Sequence, residues 1–291
     1  MKRNTRIDNT NVQCFLPSLS LSLFFSLSLS LFFSLSLSLV IFLFSGNAFA
    51  SSPYKLNTQN EVIYLGTGAA MALTGYINER DRAAPTEADI SSLNKNDIPG
   101  FERRFAGKWN KDAHNLSDIM LVTGVLSPLP LLFSNTEDYF TLGVMYLETY
   151  ALAGGGMALS KGSVTRYRPL AYGDKAPLSE KLGHDTKRSF FSGHAALTAS
   201  GLIFSASVFS DYYPDSKYKS AIWTTAITGS IATGLLRIEA GKHFPSDVIT
   251  GLAWGGAVGY LIPRLHRKDR DFILFPFANS EQQGISFIKY F

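Results

Sequence analysis

Residues 247–265 read DVITGLAWGGAVGYLIPRL, a stretch dominated by apolar and small side chains. It is too long for an ordinary strand and fits a helix of about five turns. Gly251, Gly255 and Gly259 recur at four-residue spacing, and positions four apart share one helix face. A face without side chains lets a second helix approach closely. The stretch therefore predicts a helix packed tightly against another helix.

Similar segments recur through the chain, at residues 61–77, 116–133, 139–159, 194–212 and 219–236. Each has the length of a helix of four or five turns and mixes Gly, Ala, Ser or Thr with larger apolar residues. We therefore expect an all-α domain over residues 51–271, built as a six-helix bundle. Two β-rich runs around a polar connection predict a short C-terminal β-hairpin over residues 272–291, with Pro276 restricting its first strand to an edge.

Residues 1–50 have the layout of an export signal. Lys2, Arg3 and Arg6 precede an apolar, uncharged run over residues 15–44, and the small residues of Ser45-Gly46-Asn47-Ala48-Phe49-Ala50 suit cleavage after Ala50. The apolar run is longer than most signal sequences, so an uncleaved membrane anchor stays an alternative. Within it, alternating Ser and Leu form a repeat that a CT dinucleotide tract can encode. One hypothesis is that slippage varies the length of this tract between isolates and switches expression, and the alternative is a low-complexity segment without such a role.

Composition excludes several classes of protein. Hydrophobic residues make up 46% and charged residues 17% of the chain, which is too apolar for a disordered protein. The net charge of +4 is small and spread along the chain, so no nucleic-acid partner is expected. The single cysteine, Cys14, lies in the leader, which leaves residues 51–291 without a disulfide, a thiol nucleophile or a thiolate metal ligand.

Residues able to bind an anion cluster at the ends of the predicted helices. Lys161 and Arg168 follow the third segment, Ser192 and Gly193 precede the fourth, and Arg237 follows the fifth. Arginine forks match the oxygens of phosphate, and a helix start adds backbone donors and the positive end of the helix dipole. These five residues predict a phosphate-binding site.

Two histidines and an aspartate accompany these residues. His194 and His243 can act as nucleophile or general acid near neutral pH. Asp247 comes one helical turn after His243, so we expect its carboxylate to hold one ring nitrogen and leave the other free to react. Pro245 suits the first turn of the sixth helix, which places His243 just before the helix start.

Together these residues resemble the phosphatidic acid phosphatase type 2 (PAP2) superfamily, which includes bacterial nonspecific acid phosphatases, membrane lipid phosphatases and vanadium haloperoxidases. Its pattern consists of three motifs. The first is a Lys followed after six residues by Arg-Pro, and the second is Pro-Ser-Gly-His. The third is Ser-Arg, followed after five residues by a His and after three more by an Asp. The matching positions are Lys161, Arg168-Pro169, Ser192-Gly193-His194, Arg237, His243 and Asp247. Phe191 replaces the usual Pro and Leu236 the usual Ser, and neither position transfers a proton or bonds to phosphorus.

The resemblance implies a helical phosphatase that uses no metal and no cofactor. His243 would attack phosphorus, Asp247 would orient it, and His194 would protonate the leaving oxygen. Lys161, Arg168, Ser192, Gly193 and Arg237 would hold the phosphate oxygens, which agrees with the electrostatic character of phosphoryl-transfer catalysis. Arg166, between two motif positions, is expected to be structural or peripheral. His114, His184 and His266 match no motif position and are expected at the surface, with contact to substrate as an alternative for His184, which lies in the loop between the first two motifs.

The substrate is expected to be a phosphorylated lipid or a small phosphate ester, hydrolysed as a monoester or pyrophosphate. Three alternatives stay open: a soluble periplasmic acid phosphatase, a vanadium-dependent haloperoxidase, and a catalytically silent membrane protein. Glu148, Pro128 and Pro130 interrupt the apolar segments, so not every segment is expected to span a membrane. We expect an exported, periplasmic or membrane-associated protein whose site faces the periplasm.

Overall fold

The computed structural model describes residues 52–134 and 138–269, apart from the side chains of residues 133 and 134, together with the backbone of residues 272–278 and 283–289. The leader over residues 1–50 lies outside the described residues, so its role as a signal peptide or anchor stays a prediction. Six long helices and several shorter ones make up most of what is described.

The helices are α1 (Thr58–Glu79), α2 (Glu87–Ser91), α3 (Lys111–Leu126), α4 (Leu129–Ser134), α5 (Tyr139–Ser163), α6 (Leu178–Lys181), α7 (Gly193–Tyr212), α8 (Lys219–Glu239) and α9 (Pro245–His266). The prediction of a helical fold is confirmed, and the six apolar segments correspond to α1, α3 with α4, α5, α7, α8 and α9. The predicted number of six helices is wrong. Pro128 and Pro130 separate α4 from α3, and the side chain of Thr86 caps a helix, α2, inside the polar stretch.

Helix α7 lies at the centre of the bundle, and most of its residues are buried. The predicted glycine face of α9 packs against it. A Cβ atom on Gly251 would overlap the backbone of Ser192, the residue just before α7, and a Cβ on Gly255 or Gly259 would overlap the backbone of residues 196 or 200 within α7. The close approach predicted from the spacing is therefore present, and it brings the first turns of α7 and α9 together.

A second close contact joins α1 to α5. A Cβ on Gly68 would lie 2.6 Å from the carbonyl oxygen of Ala151, and a Cβ on Gly75 would overlap the backbone of Ala158. Arg82, just after α1, reaches the end of α5, where Nη1 donates to the carbonyl oxygen of Lys161 and Nη2 to that of Gly162, each at 2.7 Å. These contacts fix the last turn of α5, which carries Lys161.

Large apolar side chains point outward from several of the long helices. Val62 on α1, Val122 on α3, Leu235 on α8 and Ile249 on α9 are each more than half exposed. Among the described residues, two helical segments are long and apolar enough to cross a membrane, Lys111–Leu132 and Pro245–His266.

The backbone of the C-terminal residues forms two strands, β1 (Phe272–Ala278) and β2 (Gln283–Lys289). They run antiparallel, with Phe272 opposite Lys289 and Ala278 opposite Gln283. Pro276 stands opposite Ile285. Because the described sheet has only these two strands, each has an unpaired edge, which is where a proline is tolerated.

Candidate active site

The candidate site forms where four helix ends meet: the last turns of α5 and α8 and the first turns of α7 and α9. Ser192 caps α7 through its hydroxyl, which accepts the N–H of Ala195. The backbone N–H of Ser192 donates to the carbonyl oxygen of Asp247 at 3.0 Å, which ties the starts of α7 and α9 together. Gly241 turns the chain between α8 and α9 with φ +68°, a conformation that favours glycine. The turn places His243 beside the start of α7.

His243 is 1% exposed, and one of its ring nitrogens is already engaged. Nδ1 lies 2.6 Å from the carbonyl oxygen of Ser189. A carbonyl oxygen can only accept, so Nδ1 carries the proton and Nε2 keeps its lone pair. Burial lowers the pKa of His243 well below its usual range, and the charges of Arg168, Arg237 and Lys161 lower it further. The ring is therefore neutral, with a nucleophilic nitrogen close to three cations.

The predicted contact between Asp247 and His243 is replaced by an indirect one. Asp247 Oδ2 lies 4.0 Å from His243 Nδ1, beyond hydrogen-bond distance. Instead, Oδ2 accepts the hydroxyl of Ser189 at 2.6 Å and the backbone N–H of Phe244 at 2.8 Å. Asp247 thus fixes two residues next to His243. Ser189 provides the carbonyl oxygen that accepts from His243 Nδ1, and Phe244 follows His243 in the chain.

Arg166 has a larger part in this network than the sequence predicts. Its guanidinium forms short ion pairs with Asp247 through Nη1 and with Glu102 through Nη2. Glu102 in turn accepts the backbone N–H of Ser246 at 2.9 Å. Both carboxylates are almost completely buried, so Arg166 supplies each of them with a charged partner, and its single positive charge balances one of the two negative charges. These contacts give Arg166 a structural role, and it affects His243 only indirectly, through Asp247.

The three predicted phosphate ligands with positive side chains lie near one another. Burial lowers the pKa of Lys161 to about 8, and the charge of Arg168 contributes. Burial also lowers the pKa of Arg168 and of Arg237, although a guanidinium remains charged at neutral pH. Lys161 Nζ lies 3.7 Å from where a Cβ of Gly193 would be, which places the ammonium beside the start of α7. An anion bound here would relieve the repulsion among the three cations.

Arg237 is held by helix α3, which the motifs do not include. Its Nη1 donates to Ser117 Oγ and to His114 Nδ1, each at 3.0 Å. Its Nε is buried and has no hydrogen-bond partner within the described part of the chain. Arg168 is anchored by Nε, which donates to the carbonyl oxygen of Asp185 at 2.8 Å. His114 was expected at the surface, but it is half-buried against Arg237.

His194 contacts a carboxylate that sequence reasoning missed. Its Nε2 donates to Asp118 Oδ1 at 2.7 Å, and the same oxygen lies 3.6 Å from Arg237 Nη1. Burial and the charge of Arg237 lower the pKa of His194 to about 3, and Asp118 opposes this effect. His194 is therefore neutral in the ligand-free protein. A bound phosphate dianion would offset the cations and favour the imidazolium that a general acid requires.

Most of the predicted site residues come together in the structure. Lys161, Arg168, Arg237, His194 and His243 share one charged cluster, and Ser192 and Gly193 form its helix start. The residues that sequence reasoning missed act at its edge: Asp118, Ser117, Ser189 and Glu102. Glu102, Ser117 and Asp118 lie far upstream of the motifs, whereas Ser189 comes only three residues before Ser192 but is not part of the motif pattern. The packing of α3 and of the polar stretch against the site identifies the first three, and the contacts with His243 and Asp247 identify Ser189.

The lowered pKa of Lys161 predicts a pH dependence of catalysis. As pH rises through about 8, Lys161 loses its charge and a charge-assisted hydrogen bond to phosphate, worth about 1.5–3 kcal/mol. Between about pH 7.5 and about pH 9.5 a phosphate monoester stays dianionic, because its second pKa is about 6. We therefore expect kcat/KM, which reports the free enzyme, to fall about tenfold or more over this interval.

Lys161→Arg is the matched variant for this measurement, because arginine keeps its charge over the whole interval. Its kcat/KM is expected to start lower than the wild-type value and to stay level through the same pH range. Parallel profiles of the two proteins would show that Lys161 does not titrate there.

Residues 142–271 match the model of the PAP2 superfamily. This confirms the resemblance drawn from the three motifs, and the matched segment contains all eight candidate site residues. The match ends before β1, so it gives no support to the C-terminal strands as part of the shared fold.

Two curated relatives are both lipid A 1-phosphatases. The protein from Rhizobium etli is 38% identical over 114 residues, which cover 38% of this chain and 45% of the relative. The protein from Rhizobium johnstonii is 35% identical over 119 residues, which cover 39% of this chain and 43% of the relative. The alignments thus span less than half the length of these relatives.

Among solved structures, the chain is similar to a transmembrane PAP2-type phosphatidylglycerolphosphate phosphatase from Bacillus subtilis. The superposition has a TM-score of 0.41 at 19% sequence identity, and it covers 81% of this chain and 92% of the other.

Proposed function

We propose that this chain, whose residues 142–271 carry the PAP2-superfamily match, hydrolyses phosphate monoesters or pyrophosphates of lipids through a phosphohistidine and without a catalytic metal. One observation carries the proposal. His243 is buried, its Nδ1 is fixed by a carbonyl oxygen, and three cations lie close enough to lower its pKa. This arrangement presents a neutral nitrogen nucleophile inside an anion site.

In the first step, His243 Nε2 attacks phosphorus, and the bond from phosphorus to the leaving oxygen breaks. His194 gives its proton to that oxygen, so the product leaves as an alcohol or a lower phosphate. Lys161, Arg168 and Arg237 hold the oxygens that carry the negative charge in the transition state. The hydrogen bond from Nδ1 to Ser189 supports the positive charge that develops on the ring of His243.

In the second step, water attacks phosphorus and the bond between phosphorus and Nε2 breaks. His194 takes a proton from the water, and inorganic phosphate leaves with the original nucleophile restored. Asp247 serves both steps as a positioning residue, because it fixes Ser189 and Phe244 on either side of His243. Asp118 beside His194 stabilises the protonated form that the first step consumes.

A lipid substrate is supported by the surface of the bundle and by the relatives. Large apolar side chains point outward from α1, α3, α8 and α9, and two segments are long enough to cross a membrane. The two curated relatives are named for dephosphorylating lipid A. Association of the helical bundle with a membrane would bring the active site close to the phosphate groups of lipids. The basic and apolar leader supports export, which would make the site face the periplasm.

The test compares a lipid and a soluble substrate in one assay. The full chain, purified in detergent, is given phosphatidic acid, lipid A or p-nitrophenyl phosphate in the same micelles. We expect kcat/KM for at least one lipid to exceed that for p-nitrophenyl phosphate at least about tenfold, equivalent to about 1.4 kcal/mol. EDTA is expected to leave turnover unchanged at a temperature where the protein stays folded. Faster hydrolysis of the soluble ester, or bromide oxidation with added vanadate but no phosphate release, would contradict the proposal.

A further inference from the structure

A second buried polar cluster lies at the end of helix α9 away from the candidate active site. It consists of Glu61 on α1, Glu148 on α5 and His266, the last residue of α9. Asp247 and His266 are separated along α9 by about 28 Å at 1.5 Å per residue. The phosphatase mechanism uses none of the three residues, and the sequence leads us to expect His266 at the surface.

The three side chains converge on one point. His266 Nε2 lies 3.1 Å from Glu148 Oε2 and 3.5 Å from Glu61 Oε1. One ligand atom from each residue lies within 4.8 Å of the other two. Zinc binds nitrogen and oxygen ligands at about 2.0–2.1 Å in tetrahedral geometry. In such a site, neighbouring ligand atoms lie about 3.3 Å from each other. The two distances from His266 match this separation.

The cluster is short of positive charge and of hydrogen-bond donors. Glu148 is 0% exposed, and apart from the contact of Oε2 with His266 Nε2 neither carboxylate oxygen has a hydrogen-bond partner in the described part of the chain. Glu61 accepts the backbone N–H of Asn57 through Oε1, while its buried Oε2 has no partner among the described residues. Even a protonated His266 would leave one negative charge uncompensated, and a buried, unpaired charge is costly.

His266 is oriented as a metal ligand. Its Nδ1 lies 2.8 Å from the carbonyl oxygen of Ile262 and therefore donates to it, so that in the neutral ring the lone pair of Nε2 faces the two carboxylates. Metal-binding histidines commonly have their second nitrogen fixed in this way. The ring of Tyr64 packs edge-on against His266, with centroids 5.8 Å apart, and restricts its rotation.

A cavity next to the cluster provides a route for an ion and space for water. Its volume is about 160 Å³, and its lining includes Glu61 and His266 as well as Asn57, Asn60 and Lys55. A water molecule occupies about 30 Å³ in the liquid, so one can complete the coordination from this side. Glu61 and His266 therefore both face this cavity, and an ion could reach them through it.

We propose that Glu61, Glu148 and His266 bind a divalent transition-metal ion, of which Zn²⁺ is the probe to use. Two carboxylates balance its charge, the imidazole selects it over Mg²⁺ and Ca²⁺, and water from the cavity fills the remaining position. The ion joins α1, α5 and α9 at the end of the bundle opposite the active site. Its role is stabilisation of the fold, and no step of the phosphatase mechanism passes through it.

The test measures metal binding and thermal unfolding of the detergent-purified full chain after EDTA treatment and removal of the chelator. Zn²⁺ is expected to bind at one ion per chain by calorimetry and to raise the unfolding temperature, whereas Mg²⁺ is expected to do neither. The central variant is Glu148→Gln, which removes one ligand charge and keeps the shape. Asp215→Asn, an exposed carboxylate change between α7 and α8, is the matched control and should bind Zn²⁺ as the wild type does.

The Glu148→Gln variant separates a metal site from a plain ion pair between Glu148 and His266, because the two predict opposite effects on the unfolding temperature. If the residues bind a metal, metal-free Glu148→Gln unfolds at or above the temperature of the metal-free wild type, and Zn²⁺ raises only the wild-type value. If they form only an ion pair, Glu148→Gln unfolds at a lower temperature and Zn²⁺ changes neither protein. The second pattern, equal protection by Mg²⁺, or unchanged Zn²⁺ binding in Glu148→Gln and His266→Asn would overturn the proposal.

Discussion

Replacement of His243 by alanine is expected to lower kcat for phosphate release at least about 10³-fold, because the bond-forming atom is removed. His194→Ala is expected to lower kcat about 10²–10⁴-fold, the usual contribution of a positioned general acid. The leaving oxygen would then depart without a proton. Steady-state kinetics on the lipid preferred in the substrate comparison measures both effects.

His184→Ala is the control for both variants. His184 lies in the loop between the first two motifs, but its Nε2 contacts the carbonyl oxygen of Arg82 and its Nδ1 faces Glu79. Its replacement should change kcat less than about threefold, as expected of a residue without a role in the chemistry. Wild-type turnover in His243→Ala would exclude this histidine as the nucleophile.

Arg166→Ala is expected to destabilise the protein by about 3–5 kcal/mol, because removing one member of a buried ion pair strands the others. Here the stranded groups are Glu102, 1% exposed, and Asp247, 0% exposed. Activity should fall with stability, since Asp247 positions the segments around His243. Denaturant unfolding in detergent, followed by circular dichroism, measures the change in the free energy of unfolding.

Two further variants make this prediction specific to the buried charges. Arg104→Ala removes an exposed arginine from the same polar stretch and should leave stability within about 0.5 kcal/mol of the wild type. Adding Glu102→Gln to Arg166→Ala should restore part of the lost stability, because it removes one unpaired carboxylate. Equal stability of wild type and Arg166→Ala would show that the ion pairs contribute nothing.

The helices were predictable because their signal is local. Apolar segments of helical length and the spacing of Gly251, Gly255 and Gly259 can be read from neighbouring residues, and the packing of α9 on α7 follows from them. The short helices α2 and α6 are not predicted because their residues lack an apolar period, and α4 lies in the same predicted apolar segment as α3. A capping threonine starts α2 and prolines separate α4, and both effects are individually small.

The positions of the site residues were predictable because helix ends carry motifs at fixed spacing. Their partners were not, because Asp118 and Glu102 reach the site only through tertiary packing and Ser189 lies outside the motif pattern. The contact of Asp247 shows the limit of spacing arguments. One helical turn from His243 permits a direct hydrogen bond, yet the extended backbone at Phe244 turns the carboxylate toward Ser189 and Arg166. The burial of His266 is not predictable either, because nothing in its immediate sequence indicates it.

The most direct test of the account is to trap the intermediate. The full chain in detergent is mixed with a ³²P-labelled lipid monoester, quenched in alkali, which preserves phosphohistidine, and mapped by mass spectrometry. We expect phosphate on His243 in the wild type and its accumulation in a variant that slows the second step, such as His194→Ala with an activated leaving group. His243→Ala should carry no label. Turnover without a phosphorylated enzyme, or label on another residue that persists in His243→Ala, would contradict the central claim.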